Sequence, residues 1–220
     1  MAEAGFNINS FKSHVGRSGM LQNNKFLCRF YVPVGMQAAG ENNADYREIA
    51  RLLEYWCEAT NLPGVALNIH EVRRYGYGPF EKRPHAPQFT DLNLQFYADS
   101  GGAIWTFWQQ WIKLVMNYDF RNGIRGRTGA ADMEPYELNY RDQYVADVEI
   151  NVYDNAGKLS MTTMLREAYP VFVGDIPLNW GDQSNLMRIP VTLTFADWFN
   201  LNTQDSFGEP LPPVPPFPTK

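Results

Sequence analysis

The side chains best able to do chemistry are few and far apart. His14, His70 and His85 are the only imidazoles, and no two stand at a metal-ligand spacing. His70-Glu71 opens like the zinc-protease helix motif, but position 74 is Arg and the neighbouring residues alternate as a strand does, so the match reads as coincidence. Cys28 and Cys57 are the only thiols, too few for a disulfide framework or a zinc site. Residues 1–19 are polar and carry no signal peptide, so both cysteines read as reduced core thiols of a cytosolic product; a Cys28–Cys57 bridge stays open. Gly76-Tyr77-Gly78 lacks the third glycine and the following helix of a dinucleotide fingerprint, and neither a phosphate-binding loop nor a nucleophile elbow occurs. The acidic residues are scattered, and nothing nominates a catalytic pair. The reading is therefore not an enzyme, with no cofactor and no metal.

Two clusters suit binding. Trp105, Phe107, Trp108 and Trp111 could stack on sugars or bases, which makes a stand-alone carbohydrate- or protein-binding sandwich the alternative function. Ile104, Trp108, Trp111 and Val115 fall on one helical face, however, and that spacing favours anchors of a helix on a sheet. Arg121, Arg125 and Arg127 alternate with Gly123, Gly126 and Gly129, a pattern suited to phosphate, to solvent, or to an acidic neighbouring subunit. Charge narrows the choice. Nineteen Lys and Arg against 24 Asp and Glu leave −5, whereas a tight nucleic-acid binder carries a basic surplus. The longest uncharged apolar stretch falls well short of the roughly 18 residues of a membrane-spanning helix, so a soluble protein is expected.

These residues need a scaffold, and the patterning supplies one. At 220 residues and 45% hydrophobic, the chain suits one domain with generous loops and tails. Residues 1–25 form a polar arm; 26–34 read as a strand stopped by Pro33 and Gly35. Asp45 and Glu48 have the form of a capping box, and Tyr46, Ile49, Leu53 and Trp56 continue at helical spacing, predicting a helix over about 45–54. The period leaves 55–60 open between helix and strand. Val65, Leu67 and Ile69 share a face, and 76–87, with three prolines and two glycines, read as irregular or as a long hairpin tip. Leu92, Leu94 and Phe96 alternate ahead of the tryptophan helix. Residues 120–141 are loop-like, and Tyr144, Ala146, Val148, Ile150 and Val152 make a strand with Asp154 to Gly157 as its hairpin turn. Residues 159–165 return, Pro170 and Gly174 limit the next run, and Met187, Ile189, Val191, Leu193 and Phe195 close the set. From 211 onward the prolines predict an extended tail. The sum is mainly antiparallel β with one or two flanking helices.

Two stretches carry a family likeness. Cys57-Glu-Ala-Thr-Asn-Leu-Pro-Gly64 resembles a segment of the tail tube proteins of contractile-tailed bacteriophages. The block Val148-Glu-Ile-Asn-Val-Tyr-Asp-Asn155, then Ala168-Tyr-Pro-Val-Phe-Val-Gly174, Leu178-Asn-Trp180 and Ile189-Pro-Val-Thr-Leu-Thr-Phe-Ala-Asp-Trp198 is similar to that family in order and spacing. Leu92 to Tyr97 followed by Trp108-Gln-Gln-Trp111 resembles its strand-then-helix unit. The likeness spans about 26–198, flanked by the arm 1–25, interrupted by the long loop 118–141, and followed by the proline-rich extension 199–220. The arm leading into Asn23-Asn24-Lys25-Phe26 looks more like the baseplate tube-initiator relatives.

The resemblance implies a β-sandwich or barrel subunit that closes into a homohexameric ring and stacks into the inner tube, or forms the ring on which the tube starts. Implied partners are further copies, baseplate hub and sheath proteins, with tape measure protein and DNA passing through the lumen unbound and no membrane. Implied location is the virion tail, assembled in the host cytoplasm. A negative subunit would let DNA slide, with repulsion acting over a Debye length of about 8 Å. Expected interface residues are Tyr75, Tyr77 and Phe80 at a projecting tip, the Arg121, Arg125 and Arg127 loop, and the Asp147 and Glu149 face. The strands 144–153 and 186–195 are expected to lead edge-to-edge closure between subunits.

Overall fold

A computed structural model describes residues 20–38, 43–73, 76–118, 136–181 and 185–201, together with 8, 12, 13 and 16. The alternating segments form a seven-stranded antiparallel assembly in the order β1-β6-β7-β8-β5-β2, with β9 also on β7. Its strands are β1 (Phe26–Phe30), β2 (Cys57–Thr60), β5 (Leu92–Tyr97), β6 (Ala146–Tyr153), β7 (Leu159–Val173), β8 (Arg188–Thr194) and β9 (Asp197–Asn200). Separately, β3 (Val65–Val72) and β4 (Glu81–Phe89) form a two-stranded arm. The helices are α1 (Val34–Ala38), α2 (Asn43–Trp56), α3 (Ala103–Val115) and α4 (Arg141–Tyr144).

One strand belongs to two sheets. The first part of β7 pairs with β6 and β9, its last part with β8. The hand-over is a bulge: Ala146 faces Ala168 and Val148 faces Leu165, so β7 carries an extra residue there. Glu167 sits in it at φ +52°, a left-handed conformation that costs a non-glycine residue energy. Its N–H donates to Asp147 Oδ1 at 3.1 Å and its carboxylate lies 2.8 Å from Arg141. Pro170, expected from the sequence to bound a run, therefore does not. It lies within a 15-residue strand, opposite Leu193.

Both ends of the strand order meet across the core. Cys28 of β1 and Cys57 at the start of β2 stand in side-chain contact, and that contact together with burial raises the Cys28 thiol pKa far above its ordinary value. Both are free thiols. α3 fills the interior. Ile104, Phe107, Trp108, Trp111 and Leu114 are buried on one face, and Trp108 touches Phe30 of β1 at 5.7 Å and Phe96 of β5 at 5.2 Å. Trp108 and Trp111 stack with an interplanar angle of 4°. The helix starts where it does because Asp99 accepts the N–H groups of Ala103 and Ile104, each at 3.0 Å. Burial raises the pKa of this carboxyl, but those donors outweigh burial and hold it below the ordinary range.

Several boundaries differ from the sequence reading. α2 begins at Asn43, two residues ahead of the expected cap Asp45, and runs to Trp56, where β2 takes over directly. Tyr144 closes the short α4 instead of opening β6. Val34 begins α1 after β1 has ended at Phe30. Of the two readings of 76–87, irregular or a long hairpin tip, the structure has the hairpin, with residues 81–89 as its second strand β4. The loop 120–135 and the proline-rich tail lie outside the described residues, which contain no helix able to cross a membrane.

Candidate assembly surfaces

Every described residue of the arm's two strands is exposed or half-buried. Val65, Leu67 and Ile69 share a face, as the alternation predicts, but that face is open: the three are 54–59% exposed. Opposite them in the register stand Phe89, Pro87 and Pro84. Prolines cannot donate to a further strand, so β4 makes a poor template for edge pairing and leaves the face as the surface on offer. At the tip Gly76 and Gly78 take φ +74° and +91°, values that glycine adopts without strain. The Arg73 guanidinium lies 3.9 Å over the Phe80 ring, which stays half exposed, while Tyr77 projects further. Tyr75 lies outside the described residues.

The acidic pair is tied into its own subunit. Glu149 accepts from Asn151 Nδ2 at 2.7 Å and Tyr31 OH at 3.3 Å, and lies 3.6 Å from Arg29, which also binds Glu54 at 2.9 Å. Asp147 holds the β7 corner. The two residues lie on one face of β6 but have separate jobs. Arg121, Arg125 and Arg127 fall outside the described residues.

The strands expected to close the ring are interior ones. β6 is paired on both sides, by β1 and β7, and β8 by β7 and β5. Their regular alternation reflects burial inside the subunit, not an open edge. Among the described residues, the sides of the seven-stranded assembly without a partner strand belong to β1, β2, β9 and the last part of β7, and in the arm β3 and β4 each have one such side. β9 is held by Thr163 Oγ1 to Asn200 at 2.8 Å and by an Arg166–Asp197 ion pair that keeps the Asp197 carboxyl below its ordinary range.

Sequence reasoning missed the loop 174–187. Leu178 is 84% exposed and Trp180 wholly so, the most solvent-facing indole of the chain. Leu178-Asn-Trp180 enters the sequence reading only as part of the family likeness, not as an exposed surface. The tryptophans that did attract notice, Trp108 and Trp111, are fully buried, so they cannot form a ligand platform.

Comparison with known proteins fits this architecture. A phage tail tube protein family model matches residues 21–201. The chain belongs to the phage tail tube protein family. Curated protein sequences give no match. Three solved structures share the fold of this family member. A chain of the PVC sheath-tube complex, an extracellular contractile injection system in its extended state, superposes with TM-score 0.52 at 15% identity, covering 86% of this chain and 95% of that one. A chain of the six-fold symmetrised baseplate of the anti-feeding prophage gives 0.52 at 15%, over 84% and 97%. Its tube terminating cap gives 0.51 at 13%, over 91% and 98%.

Proposed function

We propose that the chain is a structural ring subunit of the inner tube of a contractile tail, six copies closing around a lumen through which DNA leaves. The observation that carries this reading is the arm: a hairpin of a tube-family chain whose apolar face its own subunit leaves open. A free face of that kind is costly in water and is relieved by a neighbouring copy. Sheet sides on β1, β2, β9 and late β7 supply lateral closure, since a ring removes open edges. The net charge of −5 suits a lumen that DNA slides through without sticking. The ring is either the repeated one or the baseplate-proximal one that starts the tube, the latter favoured by residues 23–26 leading out of the N-terminal arm. No catalytic step belongs to this function.

Negative-stain imaging of purified protein tests it. Rings or tubes are expected; a monomer at high concentration, with rings appearing only on a baseplate template, selects the initiating ring. A monomer that never assembles rejects both. Deleting residues 78–84, the tip and the first four residues of β4, should leave a folded subunit that no longer stacks, with a far-UV spectrum changed only by the shortened arm.

A further inference from the structure

The arm and the loop 174–187 leave opposite ends of the same sheet. β2 ends at Thr60 and β5 begins at Leu92, so the arm is rooted where Leu92 pairs with Leu193. The Gly64 carbonyl accepts the N–H of Thr90 at 3.3 Å and closes that root. The loop departs where Tyr97 pairs with Arg188 and Val173 with Val191. Gly174 N–H to the Pro190 carbonyl at 2.8 Å fixes that departure. Each end thus offers apolar groups that the subunit does not cover: Val65, Leu67 and Ile69 at one, Leu178 and Trp180 at the other.

We infer that Leu178 and Trp180 of one copy seat on the apolar face of the arm of the next copy, so that this loop is the arm's receptor in stacking. The inference rests on the ring-and-tube reading above and names the counterpart that reading lacks. Three observations choose a second copy as occupant. The two surfaces are chemically matched, a flat aliphatic and proline face against a projecting indole, the side chain most often found as an interface anchor. Their charges are complementary: residues 71–83 hold four Lys and Arg against two Glu, whereas 174–187 hold two Asp and no Lys or Arg. Their placement at opposite ends leaves each joined copy with one free arm and one free loop when copies follow one another, so the contact can repeat head to tail, which is how an open stack grows. The eight-residue strand β3 carries the arm about 27 Å along its length.

The test uses the full chain with Trp180→p-benzoylphenylalanine, irradiated after assembly from a mixture of isotopically light and heavy copies. A ladder of multimers is expected, with light–heavy crosslinks mapping to 65–69 or 84–89. Leu178→Ala combined with Trp180→Ala should keep the thermal melt of the subunit and raise the concentration needed for stacking about tenfold or more, the loss expected of an aromatic anchor. Stacking should weaken with salt. Tubes of the Trp180→p-benzoylphenylalanine protein whose crosslinks map elsewhere, or the double variant stacking at the wild-type concentration, overturn the inference and leave the tube reading standing. Dimers without higher species overturn it too, because a head-to-tail contact goes on adding copies. Wild type that forms no rings or tubes at all removes the tube reading and this inference together.

Discussion

Two neighbouring indoles of α3 differ in one polar contact. Trp111 Nε1–H donates to the buried carbonyl of Tyr144 at 2.7 Å, while the equally buried Trp108 Nε1 has no partner. Trp111→Phe leaves that carbonyl unsatisfied, a cost of about 1–3 kcal/mol beyond the lost volume. Trp108→Phe removes a donor that is already unpaired and should cost less. Urea melts of the two variants compare them, and equal losses would show that volume alone governs this core. Trp→Ala at either position should cost about 3–5 kcal/mol. Asp197 gives a pH test. Arg166 lowers its folded pKa below the unfolded value, near 3.9, so the unfolded chain takes up the proton first. The stabilisation is complete at neutral pH and is lost as pH falls from about 4 through the folded value. Asp197→Asn should therefore lower stability at pH 7 and flatten the acid limb of a stability–pH curve. An acid limb identical to that of wild type would remove Asp197 from the account.

At the scale of elements the corner of β7 is the decisive joint. Asp147→Ala takes away the acceptor for the Glu167 N–H and should cost about 0.5–1.5 kcal/mol, whereas Asp147→Asn keeps an acceptor and should cost less. Asp147 is consequently a fold residue as well as a surface charge, and a change there reads on folding before it reads on assembly. The same joint shows what patterning can and cannot reveal. Strands with one committed face were legible: Leu92, Leu94 and Phe96, or Ile189, Val191 and Leu193, alternate because the core takes every second side chain. The α3 stripe was legible for the same reason at helical period. The Asp154 turn was legible from its residues, with Oδ1 accepting from Ala156 and Lys158 at 2.8 Å and Gly157 at φ +80°. A strand shared between sheets was not legible, because Pro170 reads as a stop and a non-glycine residue with positive φ leaves no mark in composition. Nor was the interior position of β6 and β8. Strict alternation reports a buried face, whereas pairing on both sides is decided by partners distant in sequence. The arm strand β4 was hidden by its own prolines and charges, which suit a strand lacking any core.

For the molecule as a whole, the shared strand has a mechanical meaning. A load applied along β7 reaches both sheets through one uninterrupted backbone and spreads sideways into the ladders of β6, β8 and β9, whose bonds lie across the strand and carry it together. No side-chain interface has to transmit it. The corner at Glu167 acts as the elbow of a rigid crank, pinned by Asp147 on one side and Arg141 on the other. Thrust entering a subunit at the Trp180 end of β7 would reach the far end of the same strand along that backbone.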